Sequence, residues 1–135
     1  MAIIRIRCGD EVRTHTQHFR GALARAIVAF ANGTADYAEI EDAQHDIFAT
    51  ITKSDRKAQT RYNEPVETLV YSNSNAHPTS SIHDNNYVAY ATAIYELMLS
   101  ETKRIEIYDP IHGTYCVLKV TMCSYSRHVY EEEQQ

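Results

Sequence analysis

The first residues of the chain alternate. Over residues 2–8, Ile4, Ile6 and Cys8 fall on one side and Ile3, Arg5 and Arg7 on the other, the period of a half-buried strand. Gly9-Asp10 ends it, and residues 11–15 read as a short return strand or a loop. A helix follows. Phe19, Ala22, Leu23, Ala26, Ile27 and Phe30 share one arc at helical spacing, and Ala24, Val28, Ala29 and Ala31 leave the other side mild, so this helix is central or covered by a partner. Thr14 with Gln17 resembles a capping box before it, and Asn32-Gly33 supplies its stop.

Thr34 can cap a second helix over 35–52, with Ile40, Ile47 and Ile51 on one face. On that helix Glu39, Asp42 and Asp46 would stack as an acidic stripe, with Asp36 and Glu41 nearby. Residues 67–72 read as a short strand, and the small polar run 72–81 as a long loop. A third helix, capped by Asp84 or Asn85, is expected over 85–101, with Tyr87, Tyr90, Ala91, Ile94, Leu97 and Met98 on its apolar arc. Ile105 and Ile107 alternate inward in the next strand. The run 109–113 turns with Pro and Gly, and Cys116, Leu118, Val120 and Met122 line the returning strand. Residues 124–130 would add an edge strand.

This order predicts an α+β fold: a small, mainly antiparallel sheet of about four or five strands with about three helices on one face. It forms one domain over 1–130 with a charged tail at 131–135. No internal repeat or domain-scale linker is evident.

Composition narrows the function classes. The chain has 135 residues, 13 Lys+Arg against 18 Asp+Glu, and a formal charge of −5. That balance argues against direct nucleic-acid binding, which draws its affinity from neutralised phosphates. Three cysteines without a C-x-x-C pair argue for a reducing, intracellular setting rather than a disulfide framework. Arg5 and Arg7 interrupt any leader-like apolar run, and no stretch is long enough to span a membrane.

Candidate chemistry is sparse. His15-x-x-His18 and His112 with Cys116 and Cys123 lack the spacing of a metal site, so no metal or cofactor is expected. Cys123 and His128 lie five apart on one expected strand and so point to opposite faces. No nucleophile elbow, phosphate loop or dinucleotide motif is present. Arg61, Tyr62, His77 and His83 lie in or beside the polar stretch and are the candidates for a metal-independent nuclease or nucleotide hydrolase.

The leading expectation is a binding module. Ten tyrosines against three phenylalanines and no tryptophan suit an interface that is wet before binding and dry after. Carboxylates along one edge can occupy sites built for phosphates, because both accept bidentate Arg hydrogen bonds. The profile fits a stoichiometric inhibitor of the viral or mobile-element kind, such as an anti-CRISPR protein acting in the host cytoplasm. It would block a basic, nucleic-acid-binding surface of a larger protein or nucleoprotein complex through Glu39, Asp42, Asp46, Asp36, Tyr90 and Tyr95. The apolar first or third helix would serve a homodimer.

Overall fold

The computed structural model describes residues 1–55, 65–72, 77–99, 102–109 and 114–134. In chain order the elements are β1 (Ala2–Cys8), β2 (Glu11–Gln17), α1 (Phe19–Ala31), β3 (Tyr37–Asp42), β4 (Ile47–Asp55), β5 (Val66–Ser72), β6 (Thr79–His83), α2 (Asn86–Leu99), β7 (Thr102–Asp109), β8 (Thr114–Cys123) and α3 (Tyr125–Glu133). All eight strands join one antiparallel sheet in the order β2-β1-β3-β4-β8-β7-β5-β6.

The α+β class stands, but the expected sheet of four or five strands is too small. The helix expected over 35–52 is the hairpin β3–β4. Its burial alternates with period two along Tyr37–Asp42, and the β-branched run Thr50-Ile51-Thr52 suits a strand. The loop expected at 72–81 runs into the start of β6, and residues 11–17 form the edge strand β2. The edge strand expected at 124–130 is α3, whose start is capped by the Ser124 hydroxyl accepting from the Arg127 N–H at 3.1 Å. Thr14 and Gln17 lie in β2 and form no capping box; α1 begins after His18 without a side-chain cap. The third expected helix is right in place and cap, since Asn85 Oδ1 accepts from the Val88 N–H at 3.0 Å.

Helices α1 and α2 lie side by side on one face of the sheet. Their small residues decide how closely they sit: Ala22, Ala26, Ala89 and Ala93 are all fully buried and let the helix backbones approach the strands. Ile4, Ile6, Ile40, Ile51, Ile105 and Leu118 rise from the sheet to meet Ile27, Phe30, Tyr90 and Ile94. Helix α3 buries no residue and touches the opposite face at one corner.

The strand order contains a repeat that the sequence reading missed. Each half is a ββαββ unit, and the order β2-β1-β3-β4 of the first is matched by β6-β5-β7-β8 in the second. The halves meet at the antiparallel seam β4–β8, so an approximate two-fold axis passes through the sheet there. Aligned on this axis at one constant offset, Ala22, Ala24, Ala26 and Ile27 recur as Ala89, Ala91, Ala93 and Ile94. Glu39, Ile40, Asp42 and His45 recur as Glu106, Ile107, Asp109 and His112. Asp46, which holds a left-handed backbone at φ 55°, has Gly113 as its counterpart in the sequence.

Candidate interaction face

Among the described residues, no helix other than α3 lies on the face of the sheet away from α1 and α2. Strand alternation sends Arg5 and Arg7 of β1 there, with Tyr37, Glu39 and Glu41 of β3 opposite them. Arg5 Nη1 lies 3.3 Å from Glu39 Oε1 and 3.1 Å from Glu41 Oε1, so one guanidinium serves two carboxylates. Tyr37 donates its hydroxyl to Glu39 at 3.0 Å. Burial, then the Glu39 hydrogen bond and charge, push this phenol up to about 12, with Arg7 acting against them.

The chain folds α3 back onto a corner of this face. The His128 ring stacks on Phe48 of β4 with centroids 3.5 Å apart and planes 7° from parallel. His128 Nε2 lies 3.2 Å from Glu132 and 3.9 Å from Glu41. Asp46, in the β3–β4 turn, accepts from both the backbone N–H and the hydroxyl of Ser126 at 2.8 Å, and these bonds hold its carboxyl below the ordinary range. The result is a local acidic corner: Glu41 and Asp46 from the hairpin, and the exposed Glu131, Glu132 and Glu133 from α3. Arg127 pairs with Glu131 at 2.9 Å inside the helix, leaving the corner net negative.

On the helix side, a cavity of about 830 Å³ opens at the start of α1, lined among others by His18, Phe19, Arg20, Asp42, His45 and Ile47. Asp42 is 1% exposed. It accepts from the His45 backbone N–H at 3.1 Å, and its Oδ2 lies 2.8 Å from His45 Nδ1. Burial alone would raise this carboxyl, but the two bonds from His45 outweigh it and hold the group low. The pair therefore clasps the β3–β4 turn.

The residues expected to form an acidic stripe are not brought together. Glu39 faces the open side of the sheet, Asp42 the helix side, and Asp46 sits in the turn. Asp36 lies at the other end of β3, roughly 20 Å from Asp42 by strand rise, where it accepts from the Gly9 N–H at 3.0 Å. Tyr90 is 1% exposed and its hydroxyl lies 3.2 Å from Cys116 Sγ, so it belongs to the core; Tyr95 is exposed on α2. The expected catalytic group does not converge either. His77 is exposed before β6, whereas His83 ends that strand, about 14 Å beyond its start by strand rise, against Thr68 Oγ1 at 3.1 Å. Arg61 and Tyr62 lie outside the described residues.

Among the described residues no group of three or more His, Cys, Asp or Glu could hold a metal ion. None of the described helices is long and apolar enough to cross a membrane. The residues that build the corner and escaped the sequence reading are Arg5, Phe48 and His128; the alternation of β1 and β3 was the available signal for Arg5. Comparison with protein-family models, curated proteins and solved structures finds no match for this chain.

Proposed function

We propose that the chain is a protein-interaction module: a stoichiometric inhibitor that sets its acidic corner against a basic, nucleic-acid-binding surface of a larger protein. Inhibitors of this kind are encoded by viruses and mobile elements against nucleic-acid-guided defence complexes. The observation that carries the reading is the return of α3 onto the open sheet face, which adds Glu131, Glu132 and Glu133 to Glu41 and Asp46. Carboxylates grouped this way offer arginine the bidentate partners it would otherwise find in phosphates. Their field speeds encounter with a basic surface at low salt.

The test is competition. The pure chain is used to capture a partner from its native cell. The partner is then assayed for nucleic-acid binding with increasing amounts of the chain. Stoichiometric loss of that binding, weakened by salt and by Glu131→Lys with Glu132→Lys and Glu133→Lys, is the expected result. A partner held equally well by the triple variant, or one whose nucleic acid is not displaced, would overturn the reading.

A further inference from the structure

Across the middle of the uncovered face runs one transverse row of cations and tyrosines. Register sets Arg7 opposite Tyr37, Tyr37 opposite Thr52, and Thr52 opposite Lys119. Beyond the seam Tyr71 is opposite Arg104, and Arg104 and Lys119 come next after the paired residues Ile105 and Leu118. The chain neighbours Ile6, Ala38, Ile51, Leu118 and Ile105 are all buried under the helices, so the row itself points the other way. Arg7, Thr52, Lys119 and Arg104 are exposed.

The two-fold axis passes through this row at Thr52 and Lys119, and it exchanges one arginine–tyrosine pair for another: the Arg7 guanidinium lies 4.5 Å from the centroid of Tyr37, and that of Arg104 lies 4.3 Å from the centroid of Tyr71. Arginine stands on β1 and tyrosine on β3 in the first half; tyrosine stands on β5 and arginine on β7 in the second. The stack recurs although its members have changed strands. Among the described residues, no ion pair engages Arg7, Arg104 or Lys119, in contrast with Arg5. Between Arg7 and Arg104 the sheet runs through four strand spacings, roughly 19 Å.

We propose that this row is the binding track of a single-stranded polynucleotide. A guanidinium held over a tyrosine ring keeps its outer side for a base, and successive bases stack on such platforms whatever their identity. Lys119 at the centre, with the two arginines, meets phosphates. The carboxylates beside the row set the preference. Glu39 flanks it in the first half and Glu106 in the second, related by the same axis, so the cationic strip is one row wide. A flexible single strand follows such a strip, whereas the two phosphate chains of a duplex would meet the glutamates. The net charge of −5 slows long-range encounter but does not cancel three local cations, and Glu39 beside them is already engaged by Arg5 and Tyr37. This site goes beyond the acidic corner and does not depend on it.

The test is fluorescence anisotropy of the full chain with labelled twelve-nucleotide oligo(dT) and oligo(U), an oligonucleotide duplex and polyglutamate. Either single strand should bind with a Kd of about 1–100 μM. Three phosphate contacts on a single strand predict an affinity that falls about 20-fold between 50 and 200 mM salt. Arg7→Ala with Arg104→Ala should weaken binding at least 10-fold. The same positions changed to Lys should retain the salt slope but bind more weakly, because the planar stack is lost. Lys119→Glu provides an exposed single change should the double variant fold poorly, and it too should lose binding. Arg20→Ala and Arg25→Ala, on the helix side, should change nothing. The proposal falls if neither oligonucleotide binds at 50 mM salt, if the row variants bind like the parent, or if the duplex or polyglutamate binds as tightly. Capture of a protein partner would survive its failure, and Glu131→Lys with Glu132→Lys and Glu133→Lys should leave oligonucleotide binding intact or tighter.

Discussion

Removing the His128 ring tests whether α3 is a fixed part of the binding face. The helix has nine residues and buries none of them, so it lies well below the length at which a helix is stable in water. Its docking rests on the Ser124 cap, the Asp46–Ser126 bonds and the His128–Phe48 stack. In His128→Ala the stack is lost, about 1 kcal/mol beyond burial. The His128 side chain is 16% exposed, and withdrawing its covered apolar surface adds about another 1 kcal/mol. Alanine returns about 0.5 kcal/mol through its higher helix propensity. The net loss of about 1–2 kcal/mol predicts amide hydrogen exchange roughly 5- to 30-fold faster across α3, with β3 and β4 unchanged. Mass spectrometry of deuterium uptake resolves such a difference by segment. Exchange in α3 that is unchanged or slower would mean that propensity outweighs docking, and that the acidic corner is not held by this ring.

Two further perturbations probe the groups whose protonation the fold controls. Asp42→Ala removes an acceptor bonded to both the ring and the backbone of His45. It should cost about 2 kcal/mol, or roughly 6–10 °C in Tm for a chain of this size, measured by calorimetry at neutral pH. Because this carboxyl is held below its ordinary value, its contribution is present above about pH 4 and is lost as pH falls through the lower folded value; Asp42→Asn should flatten that acid limb. Tyr37 behaves in the opposite sense. With its phenol pushed up to about 12, the folded chain keeps a proton that the unfolded chain begins to release near pH 10, so stability declines as pH rises between those values. Ultraviolet titration should show a late phenol that moves toward 10 in Glu39→Gln; a Tyr37 that ionises with the other tyrosines would refute the assignment.

The parts of the fold that could be read from the chain are those with a single period. Strand β1 alternates without interruption, and α1 and α2 hold an apolar arc through three turns or more. The hairpin β3–β4 was misread because two periods fit it. Ile40, Ile47 and Ile51 lie at helical spacing, yet they share a face for another reason. The turn brings β4 back beside β3, where Ile40 is opposite Ala49 and Asp42 opposite Ile47. Glu39, Asp42 and Asp46 formed a stripe only on that absent helix. The same ambiguity at the end of the chain ran in the other direction. Tyr125 to Tyr130 mixes apolar and polar residues as an edge strand does, while the pairs Arg127–Glu131 and His128–Glu132, each four apart, are those of a short helix.

The row at the two-fold axis was beyond reach for a different reason. Its members come from β1, β3, β4, β5, β7 and β8, and only the register of five strand pairings puts them in line. The internal repeat was the available shortcut. The short motifs Ala-x-Ala-x-Ala-Ile and Glu-Ile-x-Asp-x-x-His each occur twice at a constant offset, and that offset pairs Tyr37 with Arg104, whereas Arg7 is matched to Tyr71 only through the strand register. The helix residues Ala22, Ala26 and Ile27 recur as Ala89, Ala93 and Ile94, and all six are buried against the same sheet. At the open face, away from the corner that α3 covers, identities differ between the halves: in register, Arg5 is matched by Leu69 and Glu41 by Tyr108. Against those differences, a cation and a tyrosine remain in contact in both halves with their strands exchanged. Packing does not require this, since each pair lies on the solvent side of the sheet. What the two halves share is one guanidinium stacked on one tyrosine, a unit that suits the proposed row and can be tested there without reference to the acidic corner.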